Sequence, residues 1–199
     1  MKLLFVVIMF YMGCSCVSAQ SMRDIWINMP KGLIPYLNKS LRTDLIDGVK
    51  KKPYVPVKNL LGDTTRIERM TDNYLKVRLN NKTYLQIKKI NANTIAVVKS
   101  WNYPTSDSEL NIYSTDWCIQ KYSKIDLTLH TDKPDTMQES TYNELKSLLS
   151  PYFVVFTLLE KKNDLIVDYS FPLLGKKEYE RVKPIIKTKV LHWQDNGFK

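Results

Sequence analysis

Few side chains of this sequence are suited to catalysis, and the carboxylates that could work as a pair fall within one stretch. The candidates are Asp116, Asp126, Asp132 and Asp135. Two carboxylates held roughly 5 to 10 Å apart can hydrolyse a glycosidic bond, one as the acid and the other as the base or nucleophile. Aspartates beside Thr, Lys and Pro are also typical of solvated turns, and the residues around these four favour turns.

Cys118, His130 and His192 are further side chains that could act as a nucleophile or bind a metal ion. A nucleophilic or cross-linking Cys118 is one interpretation. A small buried apolar residue is the favoured one, because unpaired cysteines are among the most buried residues. The histidines would bind a metal only if they converged with a carboxylate such as Asp126 or Asp132. Their spacing matches no metal motif, so we predict neither a metal nor a cofactor.

The motifs that mark common catalytic sites are absent from the sequence. It contains no Gly-rich phosphate loop, no His-Glu-x-x-His, no Cys-x-x-Cys and no Gly-x-Ser-x-Gly, the patterns that bind phosphate or zinc or activate a serine. The sequence therefore favours a non-enzymatic binding or interaction module. The alternative is a hydrolase of envelope glycan or peptide that uses the four aspartates or Cys118.

Aromatic residues surround one predicted hairpin loop and its exit, and they are the candidate binding residues. They are Trp101, Tyr103, Tyr113 and Trp117. Aromatic faces near a strand end can stack on sugar rings, on bases or on the apolar side chains of a partner. The alternative is that these rings belong to the core.

The charge of the 199-residue chain favours an acidic partner. It has 30 Lys and Arg against 20 Asp and Glu, for a net charge of +10, and such an excess attracts polyanions without selecting among them. We predict an envelope protein or an acidic glycan as the partner. Nucleic acid is disfavoured, because the sequence does not place the lysines and the aromatic residues on one face.

The first nineteen residues have the pattern of a signal peptide. Lys2 precedes the apolar run 3–12, and Val17-Ser18-Ala19 offers the small residues that a signal peptidase accepts. We predict cleavage after Ala19 and an exported protein of the periplasm or outer-membrane periphery. The run is shorter than the ~20 apolar residues of a membrane span, so no transmembrane helix is expected after processing. A lipoprotein cut before Cys14 is the alternative.

The spacing of apolar residues predicts two main helices and a short third one. Ile34, Leu37, Leu41, Leu45 and Val49 form a helical stripe that ends near Gly48. Thr141 to Glu144 has the capping-box spacing and opens a second helix that ends before Pro151. A short helix covers 176–183 and stops at Pro184.

Between and after these helices the apolar period falls to two, which predicts strands. The first hairpin pairs Val77 with Leu85 and Leu79 with Thr83, which puts both apolar sets on one face and requires an odd loop at 80–82 or a bulge. It leaves the basic residues Lys76, Arg78 and Lys88 on the outer face.

The remaining strands extend this pattern to the end of the chain. A second hairpin joins 94–101 to 109–114, and alternation at Ile125, Leu127 and Leu129 continues the sheet. The apolar segment 152–159 predicts a central strand paired with 165–171, and 188–193 a last strand. The sequence thus predicts a single α+β domain over 20–199, with a largely antiparallel sheet built from hairpins.

Several segments resemble a family of exported proteins of unknown function from Bacteroides-type bacteria, the domain of unknown function 3256 family. The segments are Asp24-Ile25-Trp26-Ile27-Asn28-Met29-Pro30, Leu33-Ile34-Pro35-Tyr36-Leu37, Arg42-Thr43-Asp44-Leu45-Ile46-Asp47, Thr71-Asp72-Asn73-Tyr74-Leu75-Lys76-Val77 and Tyr113-Ser114-Thr115-Asp116-Trp117. The resemblance implies a compartment and a lineage, and it assigns no catalytic residue.

That lineage gives a possible meaning to two tripeptides. Asp63-Thr64-Thr65 and Asp135-Thr136-Met137 resemble the signal for O-glycosylation of exported proteins in those bacteria. In a eukaryotic source, the sites would instead be the Asn-x-Ser/Thr sequences at Asn38 and Asn81.

Overall fold

The computed structural model describes residues 20–49, 54–102 and 104–199. The predicted signal peptide and Cys14 lie outside the described residues. Within these ranges the fold is α+β with antiparallel sheets, as predicted, but it has two sheets, of six and four strands. None of the described helices combines the length and the apolar composition needed to cross a membrane.

The six-stranded sheet follows the order of the sequence from edge to edge. Its strands are β1 (Val57–Lys58), β2 (Thr64–Met70), β3 (Tyr74–Arg78), β4 (Thr83–Lys89), β5 (Thr94–Asn102) and β6 (Ser106–Ser114). Val77 pairs with Leu85, and the Leu79 amide donates to the Thr83 carbonyl at 2.9 Å. The predicted register and loop of this hairpin are therefore confirmed.

Two helices precede this sheet, α1 (Met22–Ile27) and α2 (Lys39–Gly48). Helix α1, which was not predicted, begins at Ser21, whose hydroxyl accepts from the Asp24 amide at 3.1 Å. Helix α2 begins later than predicted, because the side chain of Asn38 accepts from the Leu41 amide at 2.9 Å and caps it. Ile34 and Leu37 are buried as the stripe predicts, but they lie in turns.

The four-stranded sheet follows in the chain, with β7 (Phe153–Leu158), β8 (Asp164–Ser170), β9 (Lys189–Gln194) and β10 (Gly197–Phe198). Its order is β10-β9-β8-β7. The predicted pairing of β7 with β8 is confirmed, but the prediction of a central strand over 152–159 is wrong, since β7 ends the sheet. Its apolar residues Phe156 and Leu158 are buried in the core between the two sheets. The apolar run therefore reflects burial between the sheets and not a central position within one sheet.

The segment around Ile125, Leu127 and Leu129 forms no strand, so that prediction is wrong. Ile125 is buried, Leu127 is exposed, and the Leu129 amide donates to the Tyr152 hydroxyl at 3.3 Å. The alternation therefore comes from an extended segment that covers the core without pairing with a strand. It leads into α3 (Glu139–Ser147), where Thr141 lies within the first turn. Helix α4 (Lys176–Val182) continues into a 3₁₀ turn at Lys183–Ile185.

The six-stranded sheet is buried on both faces over most of its area. One face packs against α1 and α2, with Ile25, Trp26 and Val77 in one apolar cluster. The other face packs against the four-stranded sheet, with Val98 and Val167 in a second cluster. The layers are thus helices, sheet and sheet, and both clusters exclude water from the central layer.

Gln86 joins the two sheets with hydrogen bonds inside the second cluster. Its side-chain oxygen accepts from the Leu158 amide at 3.0 Å and from the Tyr74 hydroxyl at 3.1 Å, and the residue is 5% exposed. Burial raises the pKa of Tyr74 to about 12, with smaller contributions from Glu160 and Glu68. The phenol therefore stays protonated and keeps donating to Gln86 at neutral pH.

Replacing Gln86 with Leu leaves the Leu158 amide and the Tyr74 hydroxyl buried without an acceptor. We expect this change to lower the free energy of unfolding by about 1–3 kcal/mol, measured by urea denaturation. Gln194→Leu on the exposed side of β9 is the matched control. Equal stability of the two variants would show that this hydrogen-bonded contact does not hold the sheets together.

Candidate functional site

Two of the four predicted aromatic residues lie in the core. Tyr113 and Trp117 are each 8% exposed, and their ring centroids are 5.4 Å apart. The Trp117 Nε1 donates to the carbonyl of Ile25 in α1 at 2.9 Å, and burial raises the pKa of Tyr113. These rings join the helices to the sheet and present little surface to a ligand.

Trp101 is the predicted aromatic residue that the structure leaves accessible. It is half-buried, and the Lys99 Nζ lies 5.3 Å from the centroid of its ring. Together with Pro104, Phe153 and Pro172 it lines a hollow of 440 Å³ at the tip of the β5–β6 hairpin. Tyr103 lies outside the described residues. Binding by the four residues stays a prediction, and the structure does not bring Trp101 together with Tyr113 and Trp117.

The aspartates of the hydrolase alternative have different partners. Asp116 accepts from the Gln20 side chain at 2.6 Å, Asp126 pairs with Lys189 at 3.1 Å and Asp132 with Lys187 at 3.3 Å, while Asp135 is exposed in a turn. Hydrogen bonds from Thr128, Lys189 and His130 hold the pKa of Asp126 well below its usual range. Asp126 is therefore ionised at neutral pH and unsuited to act as a general acid.

The histidines and the cysteine are also separate. His130 lies 3.3 Å from Asp126 and His192 lies 2.9 Å from Asp164. Across the described ranges, no three His, Cys, Asp or Glu side chains lie close enough together to hold a metal ion. Cys118 is exposed, so the prediction of a buried thiol is wrong. The preceding residue, Trp117, has a φ of 66°. With this left-handed backbone the Trp117 indole lies in the core and the Cys118 side chain lies at the surface.

A surface that the sequence revealed only in part lies on β2, β3 and β4. Arg66 pairs with Arg78 across the two strands, and beyond a bulge Arg69 pairs with Lys76. Arg78 in turn pairs with Tyr84 of β4. Residues opposite each other in an antiparallel pair share one face of the sheet. We call this surface, made of Arg66, Arg69, Lys76, Arg78 and Tyr84, the basic face.

The ring of Tyr84 organises two of the cations of the basic face. The Lys76 Nζ lies 5.5 Å and the Arg78 Cζ 5.9 Å from its centroid, distances at which the ring attracts a cation. The Arg78 Nε is buried and has no hydrogen-bond partner among the described residues. Tyr84 thus fixes the positions of the two cations without neutralising them.

Two carboxylates neutralise only part of the positive charge of the basic face. Glu68 lies 3.5 Å from both Arg66 and Lys76, and Glu160 receives hydrogen bonds of 2.6 and 2.9 Å from Arg69. These bonds lower the pKa of Glu160, so it is ionised. Four cations against two carboxylates leave an excess of positive charge.

Lys88 does not belong to this surface, so its predicted outer position is wrong. It is 4% exposed, and its Nζ donates to the Glu160 carbonyl at 2.7 Å. Burial lowers the pKa of this ammonium, and Glu160 partly offsets the effect. The turn between β7 and β8 covers this end of β4, whereas Lys76 and Arg78 lie beyond it and stay accessible.

The predicted modification sites lie mostly at the surface. Thr64 and Thr136 are exposed, at the start of β2 and in a turn, and Asn81 is exposed in the β3–β4 turn. The Asn38 side chain is the cap of α2, which leaves it engaged. Glycosylation at any of them stays a prediction.

Replacing Arg66 with Thr removes one of the two like-charge pairs. Like charges directly opposite each other destabilise a sheet, so we expect a gain of about 0.2–1 kcal/mol in the free energy of unfolding. The gain should shrink at high salt, which screens exposed charges. Urea denaturation at two salt concentrations measures both effects.

Lys58→Thr is the matched control, because it removes the same charge on the same face opposite an uncharged residue, Thr64. A loss of stability in Arg66→Thr with none in the control would contradict the repulsion.

The chain is similar to other proteins in family and in fold. No curated protein matches the chain. Among solved structures, a domain of an uncharacterized protein from Porphyromonas gingivalis W83 is similar to it, with 16% identity, 89% of this chain and 96% of that chain covered, and a TM-score of 0.66. At this identity the likeness shows a common fold. The family model described as protein of unknown function (DUF3256) matches residues 14–198, so the resemblance is confirmed and the chain belongs to this family.

Proposed function

We propose that this protein is an exported envelope protein that binds an acidic glycan through the basic face, without catalysing a reaction. The observation that carries the proposal is the pair of consecutive like-charge contacts, Arg66 with Arg78 and Arg69 with Lys76. Export rests on the pattern of residues 1–19 and on the bacterial lineage of the family resemblance.

The like-charge contacts have an energetic cost in the free protein. Each cross-strand pair of equal charge destabilises the sheet, and Glu68 and Glu160 relieve only part of the repulsion, since they stand against four cations. A bound polyanion removes the rest of this cost. The favourable energy of binding therefore includes the relief of a strain that the free sheet carries.

The geometry of the cations suits sulfate or carboxylate groups. Arginine presents planar N–H donors that fit two oxygens at once, and Arg66 and Arg78 lie side by side on neighbouring strands. A glycan carries its anionic groups on successive rings, so one chain can contact the Arg66–Arg78 row and the Arg69–Lys76 row together.

The hydrolase alternative has no observation in its favour. Three of its four aspartates bond to different side chains, the fourth is exposed in a turn, and Asp126 is held ionised. Cys118 is exposed, and it bonds to Ser114 through its backbone, its amide donating to the Ser114 hydroxyl and its carbonyl accepting from the Ser114 amide.

Affinity for heparin, as a soluble acidic glycan, tests the proposal. The variant Arg66→Ser with Arg78→Ser should bind about tenfold more weakly for each arginine removed, because a hydrogen bond to a charged group contributes about 1.5–3 kcal/mol. Lys121→Ser with Lys177→Ser removes the same charge from exposed positions elsewhere and is the control. Isothermal titration calorimetry at several salt concentrations gives the affinities.

Three outcomes would contradict the proposal. The first is an absence of heparin binding by the unaltered chain, and the second is an equal loss of affinity in the control variant. The third is binding of a single-stranded oligonucleotide as tight as that of heparin at the same salt, which would make the face a general polyanion site. Neutral dextran should not bind at all.

A further inference from the structure

A second surface that no predicted function uses is the turn between β1 and β2. Leu60 and Leu61 are adjacent in this turn and are 62% and 69% exposed. Single exposed leucines are common on proteins, but two adjacent ones at the end of a hairpin are concentrated on a convex point. We call residues 59–63 the leucine tip.

The leucine tip is held in place by a buried side chain. Asn59 is 5% exposed, and its Oδ1 accepts from the Leu61 amide at 2.9 Å and from the Asp63 amide at 3.1 Å. Its Nδ2 donates to the Leu79 carbonyl at 3.3 Å and to the Thr65 hydroxyl at 3.2 Å. The Leu60 amide also donates to the Tyr36 carbonyl at 3.0 Å. The exposure of the leucines is therefore built into the turn.

The residues beside the tip add positive charge. Lys58 pairs with Thr64, and two residues further along β2 Arg66 lies on the same face of the sheet. Both cations are exposed. Asp63 is the one carboxylate of the tip, and it follows Gly62, whose φ is 84°. Its single negative charge opposes an anionic surface and is outweighed by the two cations, Lys58 and Arg66.

We propose that the leucine tip inserts into the interfacial layer of an anionic lipid membrane, with Lys58 and Arg66 against the lipid headgroups. A convex point that carries aliphatic side chains next to cations matches such a surface in shape, polarity and charge. The anchors of protein interfaces are instead enriched in Trp, Tyr and Arg, and leucine is under-represented among them. The inference rests on the leucine tip with Lys58 and Arg66, and it does not require that the basic face, to which Arg66 also belongs, bind a glycan.

Fluorescence from a probe at the tip tests the inference. Leu61→Cys, in a chain whose Cys14, Cys16 and Cys118 are replaced by serine, is labelled with an environment-sensitive nitrobenzoxadiazole dye. Ala92→Cys in the same background is the matched control, because it lies in the exposed β4–β5 turn at the opposite end of the sheet. Each labelled protein is mixed with vesicles of phosphatidylcholine alone or of phosphatidylcholine with phosphatidylglycerol.

We expect the dye at position 61 to become several-fold brighter and shift to shorter wavelength with the anionic vesicles, and the dye at position 92 to stay unchanged. Adding Lys58→Ser and Arg66→Ser should reduce the response at position 61 several-fold. No response at position 61, or an equal response at both positions, would overturn the inference. A change at position 61 that rises with protein concentration without vesicles would also overturn it and identify a second copy as the occupant.

Discussion

The contact of Gln86 with β7 lies at the border where the second sheet stops covering the first. Its side chain accepts from the Leu158 amide and from the Tyr74 hydroxyl. In the turn that follows β7, the Glu160 carbonyl accepts from the buried Lys88 ammonium. Buried polar groups need such partners, because each unsatisfied one costs free energy. On the other side of Gln86, the second sheet does not cover Arg66, Arg78 and Tyr84. The accessible part of the sheet thus begins at Tyr84, two residues before the buried Gln86.

The two lysines of this region show what coverage does to a repeated pattern. Lys76 and Lys88 both point away from the helices, at alternate positions of neighbouring strands. Lys76 is half-exposed beside Tyr84, whereas Lys88 is buried and has a lowered pKa. Alternation determines the face of a side chain, and the second sheet determines its environment. Charge counted along the strands therefore overstates the charge available to a partner.

Local rules were sufficient for the hairpins of this fold and insufficient for the contacts between layers. The register of Val77 with Leu85 follows from an odd loop and a two-residue period. The bulge between Ile67 and Arg69, which places Arg69 opposite Lys76, has no signal in the sequence. The outward turn of Cys118 depends on the left-handed backbone of Trp117, a conformation uncommon for that residue type. The candidate surface could thus be predicted only for Lys76 and Arg78.

The geometry of an antiparallel sheet places the candidate surfaces together. Alternate turns of such a sheet lie at the same end, so the leucine tip, the β3–β4 turn and the β5–β6 tip with Trp101 share one end, the first and the last of them near opposite edges. The Arg66–Arg78 row is the part of the basic face nearest to that end. Trp101 lies on the other face of the sheet, because it pairs with Thr83, two residues from Leu85 of the cluster that packs against the helices, whereas Arg78 and Tyr84 face away from the helices. The leucine tip and the Arg66–Arg78 row therefore lie at one end of the sheet, so the two proposed sites would contact one surface in a single orientation, with Trp101 turned away from it.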